Sequence, residues 1–222
     1  MGDSRDHPAN ILVRADEHGV FRRAIDAVSL WEETTCEHEL ALRLEWMKSL
    51  RALRLGKKLI TDAFTFTAFV SMQFLDLSWT QITSIDSLRV CRSLRECNLA
   101  RTKIKCIDAL EECHLLESLN LAGTNVGEIH ALSACPLLRE LSLCGTQVDN
   151  IDPLSSCVLS LTYLDISRTK VHNVTVLWQC SVLWQLDLED TSIYNVDVLA
   201  PLIKSGLVIH GLTPKDWYYV RQ

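Results

Sequence analysis

The chain has 222 residues, 48% hydrophobic and 23% charged, with 22 Lys and Arg against 28 Asp and Glu. That composition suits a globular chain able to bury a sizeable core, and a formal charge of −6 gives no support to a broad nucleic-acid-binding surface. No run of 18 apolar residues occurs, and the opening MGDSRDHPAN lacks the apolar core of a secretory signal. The expectation is a protein of the cytoplasm or nucleus that does not enter membranes.

Residues 1–19 read as a disordered or extended N-terminus. Residues 20–49 read as an N-terminal cap or divergent repeat, partly helical, because Thr34 and Glu37 are spaced as a capping box ahead of Leu40, Leu44 and Met47. From Leu50 the chain becomes periodic. Thr80, Thr102, Thr124, Thr146, Thr169, Thr191 and Thr213 recur every 22 residues, with one step of 23. Leu75, Cys97, Leu119, Leu141, Leu164, Leu186 and Val208 share one column, and Leu77, Leu99, Leu121, Leu143, Ile166, Leu188 and His210 another. The unit is L-x-x-L-x-L-x-x-T-x-I-x-x-I-D-x-L-x-x-C-x-x. Seven full units fill residues 50–204. Residues 205–222 read as a partial repeat and a C-terminal cap carrying Trp217, Tyr218 and Tyr219.

Each part of the unit has a physical reading. The alternation L-x-L is the signature of a short half-buried strand, and a return within 22 residues forces the coils to stack as a solenoid. Asp86, Asp108, Asp152 and Asp197, with Thr175 in the same column, are placed as helix N-caps, and Pro153 follows Asp152 at the first helical position. One or two short helical or 3-10 turns are therefore expected on the outer side. Thr124 is expected to bridge neighbouring coils through its hydroxyl, so that Thr124→Val would cost about 1 to 3 kcal/mol. Cys91, Cys113, Cys135, Cys157 and Cys180 form a late column and read as small apolar filler. No C-x-x-C pair completes a zinc set, and no metal or cofactor is expected. Cys144, expected on the open face, is the thiol predicted to react.

These columns resemble the leucine-rich repeat family, and the short period is similar to the class that includes the leucine-rich regulatory subunit of protein phosphatase 1. Thr in place of the usual Asn, and Cys in place of the usual late Leu, resemble cysteine-containing and trypanosomatid repeats. The resemblance covers roughly residues 50 to 213. It implies an α/β solenoid: a leucine-rich-repeat horseshoe with a concave parallel β-sheet, short helical or 3-10 turns on the convex side, and recognition of another protein through the concave face.

On that face the candidate partner-binding residues are Phe74, Asp76, Trp79, Glu96, Asn98, Asn120, Glu140, Tyr163, Asp165, Gln185, Asp187 and Glu189. The aromatic residues stand where other repeats are polar, and exposed aromatics are enriched among interface hot spots. Arg54, Lys57 and Lys58 at one end, against Asp165, Asp187, Glu189 and Asp190 at the other, suggest a gradient of charge that could orient a partner. Trp178 and Trp184 fall outside the face and suggest a second surface.

No G-x-x-x-x-G-K-[ST], G-x-S-x-G, H-E-x-x-H or G-x-G-x-x-G occurs, which points to a non-catalytic module. The reading is a scaffold or regulatory subunit, a monomer within a hetero-complex, binding a protein partner and not nucleic acid directly. Two other readings stay open: a ribonucleoprotein-complex component, and a substrate receptor for ubiquitin ligation.

Overall fold

A computed structural model describes residue 48, residues 50–57 and residues 69–212. The expected N-terminal cap, Lys58, and the expected C-terminal cap from Thr213 onward lie outside the described residues.

Eight three-residue strands, β1 (Ala52–Arg54), β2 (Phe74–Asp76), β3 (Glu96–Asn98), β4 (Ser118–Asn120), β5 (Glu140–Ser142), β6 (Tyr163–Asp165), β7 (Gln185–Asp187) and β8 (Val208–His210), form one parallel sheet in chain order. Leu53, Leu75, Cys97, Leu119, Leu141, Leu164, Leu186 and Ile209 lie side by side at its centre, and all are buried. The ladder continues past each short strand. Leu77, Leu99, Leu121 and Leu143 donate their N–H groups to the Asn98, Asn120, Ser142 and Asp165 carbonyls of the next coil at 2.7 to 2.8 Å. Buried Leu, Ile, Val and Cys columns fill the space between the sheet and the outer turns, so each coil hides its apolar edge against its neighbours.

The outer side carries 3-10 turns at Asp86–Val90, Asp108–Glu112, His130–Ala134, Asp152–Cys157, Thr175–Gln179 and Val196–Leu199, the last running into an α-helix at Ala200–Lys204. Their start differs from expectation. The N-cap positions are Ile85, Ile107, Ile129, Ile151, Val174 and Asn195, without a side-chain cap bond. Asp86, Asp108, Asp152 and Thr175 are instead the first helical residues, and Asp197 the second. The column aliphatic must point into the core, which takes the capping position away from a polar side chain. The free amide is met from two residues upstream, where Asn150 Oδ1 accepts from Asp152 N–H at 2.8 Å and Asn173 Oδ1 from Thr175 N–H at 2.9 Å.

The last coil corrects one column. Ile209, not Val208, lies opposite Leu186, and His210 lies opposite Asp187. The α-helix Ala200–Lys204 advances about 1.5 Å per residue against about 2.0 Å for a 3-10 turn. The same distance therefore consumes an extra residue, and the period of 22 fails there.

The threonine column also behaves differently. Thr80, Thr102, Thr124, Thr146, Thr169 and Thr191 each donate the hydroxyl to a carbonyl three residues back in their own coil, at 2.6 to 2.7 Å. Coil-to-coil bonding at this level is made by the backbone one residue on, as in Asn125 N–H to the Ile104 carbonyl at 3.1 Å. The residue before each threonine turns the chain with positive φ: Trp79 (61°), Arg101 (59°), Gly123 (68°), Gly145 (68°), Arg168 (56°) and Asp190 (56°). This turn folds the hydroxyl back onto its own strand.

Candidate functional site

Because each central strand residue is buried, its two strand neighbours face outward, and successive coils align them as columns across the open sheet. Phe74, Glu96, Glu140, Tyr163 and Gln185 occupy the first column, and Asp76, Asn98, Asn120, Asp165 and Asp187 the second. Glu189 follows just beyond β7, and Trp79 stands at the rim in its left-handed turn. The sheet thus brings eleven of the twelve candidates onto one face, with Trp79 at its edge.

The second column has a structural duty that sequence reasoning did not assign. Oδ1 of Asp76, Asn98, Asn120 and Asp165 accepts the backbone N–H two residues on, from Ser78, Ala100, Ala122 and Ser167, at 2.9 to 3.1 Å. These bonds close the turn out of each strand. At Asp76, Asn98 and Asn120 they leave the second carboxylate oxygen or the amide NH2 free for another partner, whereas Asp165 Oδ2 accepts from Ser142 Oγ.

The far half of the face is a closed polar network. Asp187 accepts from Tyr163 Oη at 2.9 Å and from Gln185 Nε2 at 3.2 Å, and lies 2.8 Å from His210 Nδ1. Burial, and the Asp187 carboxylate accepting its proton, hold the Tyr163 hydroxyl well above the usual phenol range. Ser142 Oγ donates to Asp165 at 3.1 Å, and Arg168 lies 3.2 Å from Asp190 and 3.6 Å from Glu189.

The near half is open. A hollow of about 370 Å³ is lined by Arg54, Phe74, Leu75, Asp76, Glu96, Cys97, Asn98, Ser118 and Asn120. Phe74 is 36% and Trp79 55% exposed, and the Arg101 guanidinium lies 5.4 Å from the Trp79 ring centre.

Outside the sheet face, Trp178 and Trp184 are both exposed, near the ends of the outer turn and just ahead of β7. Leu115, Leu137, Leu159 and Val182, two residues after successive column cysteines, are exposed as well. Sequence reasoning missed this row. Its only signal is an aliphatic residue just out of phase with the buried period, as in Leu115 before Leu116 and Leu137 before Leu138.

The column thiols are fully buried, and they do more than fill space. Sγ of Cys91, Cys113 and Cys135 lies 3.5 to 3.7 Å from the carbonyls of Phe69, Cys91 and Cys113 in the preceding coil. Burial pushes Cys91, Cys113, Cys135 and Cys157 up to about 12 and Cys180 to about 11. Cys144 is half-buried, and burial followed by the Asp165 charge raises it. Among the described residues Cys106 is the exposed thiol, so Cys144, expected to be the thiol that reacts, is the less accessible of the two. Among the described residues, no group of three or more His, Cys, Asp or Glu could hold a metal ion. Among them, too, no helix is long and apolar enough to cross a membrane.

No family model matches the chain, and no curated protein does. Solved structures do. An internalin of Listeria monocytogenes matches with a TM-score of 0.71 at 25% identity, over 75% of this chain and 48% of that one. Internalin C2 of the same organism matches at 0.69 and 24% identity, over 75% and 72%. The leucine-rich-repeat ectodomain of the Arabidopsis thaliana receptor kinase GASSHO1/SCHENGEN3, solved in complex with CASPARIAN STRIP INTEGRITY FACTOR 2, matches at 0.61 and 17% identity, over 78% and 23%. The chain spans about half the length of the first of these. An open eight-stranded parallel sheet with a 3-10 return in successive coils, and these structures as its likenesses, give the chain the leucine-rich-repeat horseshoe fold.

Proposed function

We propose that the chain is a non-catalytic protein-interaction module, a scaffold or regulatory subunit that takes a protein partner on its concave sheet. The observation that carries this reading is the sheet face itself. Eight strands offer aligned polar side chains, with Phe74 and Trp79 exposed among them, and no described element covers them. Large aromatics left in water at otherwise polar columns favour an interface over a solvated surface. A neighbour of the same fold solved in complex with another factor supports recognition as the use of such a face. The cysteines described are all unpaired, with column thiols turned to backbone carbonyls, which suits a reducing compartment, the cytoplasm or nucleus.

Affinity purification of the tagged chain from its native cells tests this. Trp79→Ala with Tyr163→Ala is expected to leave the far-ultraviolet spectrum unchanged and to reduce capture of the co-purifying protein about tenfold or more. Unchanged capture by the folded double variant would overturn the concave-face reading.

A further inference from the structure

We propose, building on the concave-face reading, that β1 to β4 hold an anchor site for an extended segment of the partner. That segment carries an acidic and a basic side chain about 12 Å apart with an apolar one between them.

The polar groups of the face divide into those already satisfied within the sheet and those left open. In the far half, Asp187 is engaged by Tyr163, Gln185 and His210, and Arg168 lies against Glu189 and Asp190. Groups held this way offer a partner little until existing bonds are broken. In the near half, neither the Arg54 guanidinium nor the Glu96 carboxylate has a hydrogen-bond or ion-pair partner among the described residues, and both side chains are exposed. They line the same hollow of about 370 Å³, with Phe74, Asp76, Asn98 and Asn120.

Their placement defines the chemistry of the occupant. Arg54 is on β1 opposite Asp76, and Glu96 is on β3 opposite Phe74, so the two lie two strand spacings across and two residues along from each other, or about 12 Å. Phe74, on the strand between them, is 36% exposed. Asn98 and Asn120 spend Oδ1 on their own turns and turn their NH2 donors outward on adjacent strands. An extended segment crossing the strands would give backbone carbonyls to those donors. It would lay a carboxylate on Arg54 and an ammonium or guanidinium on Glu96, and cover Phe74 with the apolar residue. Charge complementarity then sets the direction in which the segment runs.

The test pans a phage-displayed library of random peptides, about 12 residues long, against the immobilised full chain. Enriched peptides are expected to carry the acidic–apolar–basic order. Synthetic copies are expected to weaken about tenfold or more on Arg54→Glu or on Glu96→Arg. The double variant Arg54→Glu/Glu96→Arg keeps the net charge and is expected to enrich peptides with the opposite order. Peptides that ignore these reversals but are lost on Asp187→Ala would overturn the anchor while leaving the concave face standing. Peptides indifferent to all of these substitutions would overturn both, and failure of any sequence to enrich would overturn the anchor.

Discussion

The hydroxyl of Thr124 and its own N–H both donate to the Leu121 carbonyl, at 2.7 and 3.1 Å. Thr124→Val therefore removes one of two donors and leaves no buried carbonyl orphaned. The expected loss is about 1 kcal/mol, the usual net worth of one intramolecular hydrogen bond and the bottom of the range for an unsatisfied buried group. Urea unfolding of the variant measures it, and a loss above about 2.5 kcal/mol would mean that the hydroxyl serves a second group. The period made the threonine column plain from the sequence, but not the direction of its bond. That direction depends on the left-handed residue before it, which is glycine at 123 and 145 but tryptophan at 79 and arginine at 101, so no single residue type announced it. The same holds for Asp76, Asn98 and Asn120: their exposure on alternate strand positions was legible, and their bond to the chain two residues on was not.

At the scale of one element, β8 ends against Gly211, whose φ is +85°. A Cβ placed there would come within 2.3 Å of Glu189 N, 2.6 Å of Glu189 Cα and 2.7 Å of the Leu188 carbonyl carbon. All three are backbone atoms of the preceding coil and cannot swing aside as a flexible side chain would. Gly211→Ala is therefore expected to detach β8, breaking the Leu188 N–H bond to the His210 carbonyl, now 2.9 Å. Hydrogen exchange at Leu188 should accelerate by about 100-fold or more, while Leu99 N–H, bonded to the Asn120 carbonyl at 2.8 Å, keeps its protection, since openings in a solenoid are local. Equal protection at both amides in the variant would show that the coil accommodates the methyl. Strands were readable from alternation alone, whereas the register of β8 was not, because the change from 3-10 to α-helix at Ala200 alters residues per ångström without altering hydrophobic pattern.

Across the whole molecule the cysteine column ties coil to coil, and it makes stability depend on alkaline pH. An unfolded thiol titrates near 9.0, whereas burial raises Cys91, Cys113, Cys135 and Cys157 to about 12. The unfolded chain thus binds fewer protons than the folded one above pH 9, so stability is complete below pH 9 and falls as pH rises toward 12. Each such thiol contributes a slope of about 1.4 kcal/mol per pH unit in that window. Lysines and tyrosines titrate in the same range, so the difference between wild type and Cys135→Ala isolates one thiol. The variant is expected to start less stable at pH 8, because a small void replaces a sulfur 3.7 Å from the Cys113 carbonyl. It should then lose stability more slowly, by about 1.4 kcal/mol per unit, so that the two curves converge toward pH 11. Urea unfolding at half-unit steps from pH 8 to 11 reads this directly, and parallel curves would show that Cys135 is not kept protonated by its place in the stack.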